Sequence, residues 1–127
     1  MLKRALVLSL VLSSSLAAAA TLSDAQQANI NDFNAKLETI EATATKNLDT
    51  LNKQLDSASD KKEEMQINTK IKFNEMNKAN AEKQLASNKA FTDQVASMTD
   101  EQVDSFNKKI DDLKAQAEKT AQDLKLK

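Results

Sequence analysis

The sequence predicts an all-α protein, an elongated antiparallel helical hairpin or thin bundle of about three long, coiled-coil-like helices. Three observations carry that prediction. The 127-residue chain has no glycine and no proline, the residues that most often break helices and form turns. Beyond residue 22, apolar side chains recur mostly at steps of three and four, the signature of a helical stripe. Two short segments of the form Ser/Thr-x-x-Gln precede two of those stripes, at the spacing of a capping box that starts a helix.

Residues 1–20 are expected to be a cleaved export signal. Lys3 and Arg4 form a positive n-region, Ala5 to Leu16 a short apolar h-region, and Ala18-Ala19-Ala20 a small-residue cleavage pattern. About a dozen apolar residues are too few to span a bilayer comfortably. Cleavage is expected after Ala20, which makes Thr21 the new N-terminus, with Ala18 and Ala19 as alternative cut points. No cysteine follows the h-region, so lipoprotein processing is not expected. The remaining residues, 21–127, are predicted to form a single all-helical domain without an integral membrane span, located in the periplasm or secreted.

The first helix is predicted from about Ser23 to Ser57. Its stripe is Ile30, Phe33, Leu37, Ile40, Ala44, Leu48, Leu51, Leu55 and Ala58. Asn47 occupies a position that a strict heptad would give to an apolar residue, so the seam is expected to shift to Leu48 there. The segment Asp56-Ser57-Ala58-Ser59-Asp60 is the expected turn, because Ser and Asp compete with the helix for backbone hydrogen bonds. A helix running straight through this point is the competing reading.

The second helix is predicted from about Asp60 to Ala96, with Asp60 and Glu63 at capping-box spacing. At about 100° per residue, Met65, Phe73 and Met76 fall on one side and Ile67, Ile71 and Leu85 nearly opposite, with Phe91 and Val95 nearer the first group. A helix with two apolar faces needs two neighbours. Met65, Ile67, Ile71, Phe73 and Met76 are therefore the candidate surface for a client or a second copy. A middle place in a bundle would also use both faces.

The third helix is predicted to start at Thr99, with Gln102 at the third helical position and Met98 and Val103 spaced as a hydrophobic staple. Asp100 and Glu101 sit in the first turn, where the helix dipole favours acids. Val103, Phe106, Ile110, Leu113, Ala117, Ala121 and Leu124 continue the stripe.

Composition sets limits on function. The formal net charge is −1, and loss of the two leader cations Lys3 and Arg4 takes it to −3. Lysines alternate with Asp and Glu throughout, which reads as a mixed-sign solvated surface. That argues against nucleic acid, which needs a basic stripe, and against simple electrostatic docking on anionic lipid. The large apolar residues make up only about a fifth of residues 21–127, so a monomer of this size is marginal and a homodimer is expected. With no His, Cys or Gly, a Ser-His-Asp or Cys-His arrangement, an ordinary zinc site and a phosphate-cradling loop are all unavailable. Neighbouring acids such as Asp111-Asp112 and Glu63-Glu64 diverge by about 100° on a helix and do not converge on one proton or metal. The chain is accordingly expected to be a non-enzyme, without cofactor or metal.

The segment Leu22-Ser23-Asp24-Ala25-Gln26 opens the first helix, and Met98-Thr99-Asp100-Glu101-Gln102 opens the third. This pair resembles the LTxxQ motifs of the Spy/CpxP family of small periplasmic stress proteins. The resemblance implies an exported, all-helical, dimeric protein that binds unfolded clients or a sensor partner. Leu22, Ser23, Gln26, Met98, Thr99 and Gln102 are the matching positions, with Ser23 in place of Thr and Met98 in place of Leu. Their physical role is to cap and position helices. The expected function is thus an exported periplasmic binding protein of the chaperone or stress-adaptor type, holding a protein on an apolar helical face. The alternative is a structural coiled-coil protein of the cell envelope without client binding.

Overall fold

The computed structural model of the protein describes residues 20–125. The n- and h-regions of the expected leader, residues 1–19, lie outside the described residues, as do residues 126–127. Three helices account for nearly all of the rest: α1 (Asp24–Asp56), α2 (Lys61–Gln94) and α3 (Asp100–Asp123), with a 3-10 turn at Val95–Ser97 between α2 and α3. Their 33, 34 and 24 residues correspond to about 50, 51 and 36 Å at 1.5 Å per residue.

Local chemistry explains each boundary. Ser23 Oγ accepts from the Gln26 N–H at 3.1 Å while the Gln26 side chain accepts from the Ser23 N–H at 3.0 Å. Thr99 and Gln102 repeat this reciprocal arrangement at 3.2 and 2.9 Å. Asp60 caps α2 by accepting from the Glu63 N–H at 2.8 Å, but Glu63 reaches back to the Ser59 N–H and hydroxyl instead of the Asp60 N–H. Ser57 to Asp60 form a real break, so α1 and α2 are separate helices. The chain leaves all three helices without glycine because the exit residues Ser57, Val95 and Leu124 keep negative φ, at −99°, −59° and −78°.

The bundle runs up, down, up. Asn47 pairs with Asn74 and Asn34 with Asn88, so α1 and α2 are antiparallel. Gln26 pairs with Asp104 and Lys36 with Glu118, so α1 and α3 are parallel. The buried positions repeat every seven residues in each helix: Ile30, Leu37, Ala44 and Leu51 in α1; Ile67, Asn74, Ala81 and Asn88 in α2; Val103, Ile110 and Ala117 in α3, continued by its C-cap Leu124. A seven-residue spacing keeps each seam facing its neighbours in a coiled-coil-like bundle.

Two expectations about the seams are corrected. The α1 seam does not shift to Leu48. Asn47 stays in the heptad slot at 6 % exposure, because its amide donates to Asn74 Oδ1 at 2.9 Å and to the Leu124 carbonyl at 2.6 Å. Phe91 does not join the outward side of α2. It is buried and stacks on Phe106 with centroids 3.6 Å apart and planes 10° apart. The 24 residues from Ile67 to Phe91 accumulate about 70° between a straight 3.6-residue helix and a 3.5-residue seam, enough to move Phe91 from one side to the other.

Candidate functional site

The core of α2 is unusual in its polarity. Between Ile67 and Phe91 its fully buried positions are Asn74, Ala81 and Asn88. Each asparagine is satisfied: Asn74 by Asn47 and the Lys70 carbonyl, Asn88 by Asn34 and Gln84. Among the described residues no buried side-chain nitrogen or oxygen lacks a partner, as the desolvation cost of such groups requires. Two amide bridges thus sit within the packing of α2 on α1, whereas α1 and α3 supply most of the buried residues of the main apolar cluster.

The polar inner face leaves much of the α2 apolar content outside. Met65 is 68 % exposed, Met76 57 % and Phe73 39 %. Phe73 also forms part of the lip of a notch of about 410 Å³ where α3 ends, together with Thr69, Lys70, Leu124 and Lys125. Of the five candidate surface residues, the structure brings Met65, Phe73 and Met76 together on the outer flank. Ile67 is buried at 7 % exposure and Ile71 is half-buried, both on the bundle side, so Ile67 is closed to a partner and Ile71 is open to one only in part. The reason is the heptad: Ile67 and Ile71 lie in the same inward register as Asn74.

The six pentad residues are helix-starting groups and do not form one site. Ser23, Gln26, Thr99 and Gln102 close the two capping boxes, and Leu22 and Met98 are partly buried against the core. Gln26 alone reaches further, donating to Asp104 at 3.0 Å and so linking α1 to α3. Thr99→Ala is expected to lower stability by about 1 kcal/mol, read as a lower urea midpoint with an unchanged slope. An unchanged midpoint would mean that the cap does not hold α3.

Charged groups that sequence reasoning did not single out fasten α1 to α3. Lys36 lies 3.0 Å from Glu118, and Lys114 lies 3.0 Å from Asp32 and 2.8 Å from the Asn29 side-chain oxygen. The bond from Lys114 holds the Asp32 carboxyl below its ordinary range, and the bond to Glu118 raises Lys36. On the α1–α2 edge the effect is opposite: a shared hydrogen bond with Glu82, added to burial, pushes Glu41 up. The Asp32 contribution to stability is present above the ordinary carboxyl pKa and is lost as pH falls through its depressed value; protonation of Glu41 favours the fold as pH falls. Acid therefore loosens the α1–α3 edge and relieves the α1–α2 edge. These pairs are partly solvated, so each effect is small. They register in sequence only as alternating charges, because their partners lie about forty residues away for Glu41 and about eighty for the two α1–α3 ion pairs.

Among the described residues there is no group of three or more Asp or Glu placed to hold a metal ion, and no helix is long and apolar enough to cross a membrane. No family model matches the chain, and neither a curated protein nor a solved structure is detectably similar to it.

Proposed function

We propose that the protein is an exported, non-enzymatic binding protein of the chaperone or stress-adaptor type that holds unfolded clients or a protein partner on the outer face of α2. The observation that carries this reading is the exposed row Met65, Phe73 and Met76 beside the Phe73 notch. Large apolar side chains left in water on a surface helix mark an interaction site more often than scattered single ones do. Methionine adapts its shape to varied partners, which suits a promiscuous surface. The resemblance of the two pentads to the Spy/CpxP family supports the same reading, and the expected export signal at residues 1–20 supports a location in the periplasm or outside the cell.

In this reading the protein works as a homodimer that leaves the α2 outer face free. Self-pairing of that face is disfavoured, because it would set Lys61, Lys62, Lys72 and Lys83 of one copy against the same lysines of the other. The contact between copies then falls elsewhere on the bundle. A structural role as an envelope coiled coil is the second reading, favoured by the seven-residue recurrence in all three helices.

Light scattering of a denatured, aggregating client decides between the two readings. At equimolar ratio the protein is expected to suppress most of the aggregation. The triple variant Met65→Ser/Phe73→Ser/Met76→Ser is expected to lose at least half of that suppression while melting within a few degrees of the parent, since surface substitutions cost little. A parent that leaves aggregation unchanged would overturn the client reading and leave the structural one.

A further inference from the structure

The charges on α2 are segregated in a way that the whole-chain balance conceals. At about 100° per residue, Met65, Phe73 and Met76 share a sector of about 120° with Lys61, Lys62, Lys72 and Lys83. All seven are exposed. The four acids of the same stretch, Glu63, Glu64, Glu75 and Glu82, project outside the sector. Among the described residues, none of the four lysines lies within 4.0 Å of a carboxylate oxygen. A chain that is acidic overall thus carries one outward ridge with cations and apolar side chains and no acid. Asp123 of α3 borders the notch beside Phe73 and brings a carboxylate from another helix near the ridge.

We infer that this ridge docks the bundle on an anionic lipid surface, lying flat along α2. From Lys61 to Lys83 the ridge runs about 33 Å at 1.5 Å per residue. Cations and apolar side chains recur along this whole length, so an extended anionic surface can touch the ridge from end to end. Lipid headgroup phosphates supply the negative charge that the lysines lack. Met65, Phe73 and Met76 reach the boundary between headgroups and acyl chains, as the apolar face of an interfacial helix does. Lys72 lies between Met65 and Met76 and reaches the phosphates by extending its stem sideways. The acidic helices α1 and α3 stand behind α2, a helix diameter of about 10 Å or more from the surface, where salt screens most of their repulsion.

This inference is carried by the lysines and does not depend on client binding. The test is co-sedimentation of the purified, exported protein with extruded vesicles, either of phosphatidylcholine alone or with about a third phosphatidylglycerol, at about 0.1 M salt, where screening is moderate. Partition is expected to be at least about tenfold higher on the anionic vesicles and to collapse at high salt. Lys72→Glu/Lys83→Glu is expected to lower it by about 30-fold, roughly fivefold per lysine. Lys46→Glu/Lys119→Glu, which changes the net charge equally at exposed sites off the ridge, is expected to leave it within about twofold. Equal partition on both vesicle types, or equal loss in the two charge-reversed variants, would overturn the inference. Neither result would touch the client reading, which is measured by scattering without vesicles.

Discussion

Phe33→Ala is expected to lower the stability of the protein by about 4 kcal/mol. Phe33 is 1 % exposed and is among the largest fully buried side chains. It lines a narrow cleft of about 190 Å³ with residues from all three helices, including Ala81 of α2 and Leu113 and Ala117 of α3. The two alanines cannot reach across to fill a lost ring, so the site collapses poorly, and a poorly collapsing site lies toward the upper part of the range for Phe→Ala. A domain of this size has a total stability of about 5–15 kcal/mol, so the loss is a large fraction of it. The melting temperature is expected to fall by at least about 15 °C. The same substitution at Phe73, which is 39 % exposed, is expected to cost less than about 1 kcal/mol. Similar melting temperatures for the two variants would mean that the three helices do not share the Phe33 core.

Asn47→Ala is the second large effect, with an expected loss of about 3 kcal/mol. One amide nitrogen of Asn47 serves two acceptors on two other helices, Asn74 Oδ1 and the carbonyl of Leu124 at the end of α3. Truncation strands both acceptors in a buried layer and leaves a small void. The Leu124 carbonyl is among the last of α3, where the helix has no partner of its own to offer, so the final turn of α3 is expected to fray. Hydrogen exchange at residues 120–124 would show this as lost protection. Asn47→Leu fills the space but strands the same acceptors, so it is expected to recover only part of the loss. Adding Asn74→Leu removes one stranded group and is expected to recover more, a coupling that a double-mutant cycle measures. The same double variant is expected to weaken the register between α1 and α2, since a buried amide pair tolerates fewer alignments than an apolar one. Full stability in Asn47→Ala would mean that water replaces the amide and that the layer does not hold α3.

How much was legible in the sequence varies from helix to helix. Ser23, Asp60 and Thr99 mark the starts of α1, α2 and α3 because a capping hydrogen bond spans only three residues and needs no distant partner. The stripes of α1 and α3 are legible for a similar reason: enough large apolar residues stand on one side to define the face. α2 is different. Its inward positions include two asparagines and an alanine, and its outward positions include two methionines and a phenylalanine. Hydrophobicity alone points both ways there, and so Ile67 and Ile71 entered the candidate surface although they are turned inward. The lysine ridge was in principle readable from angles along α2, but the overall mixture of charges hid it until the structure showed which flank faces out.

The sequence by itself therefore determined the all-α class and the capped helix starts, and it marked Asp56–Asp60 as the expected turn while leaving a continuous helix open; the structure shows the break. The class and the starts depend on backbone sterics and on hydrogen bonds between residues three or four apart. Only the tertiary structure decided that Asn47 stays in the seam, that Phe91 turns in to stack on Phe106, and that Met65, Phe73 and Met76 stay in water. Those outcomes depend on groups 15 to 77 residues distant in the chain, such as Asn74, Leu124 and Phe106. Burial of an amide is tolerable only when such a partner arrives, and no local pattern records its arrival.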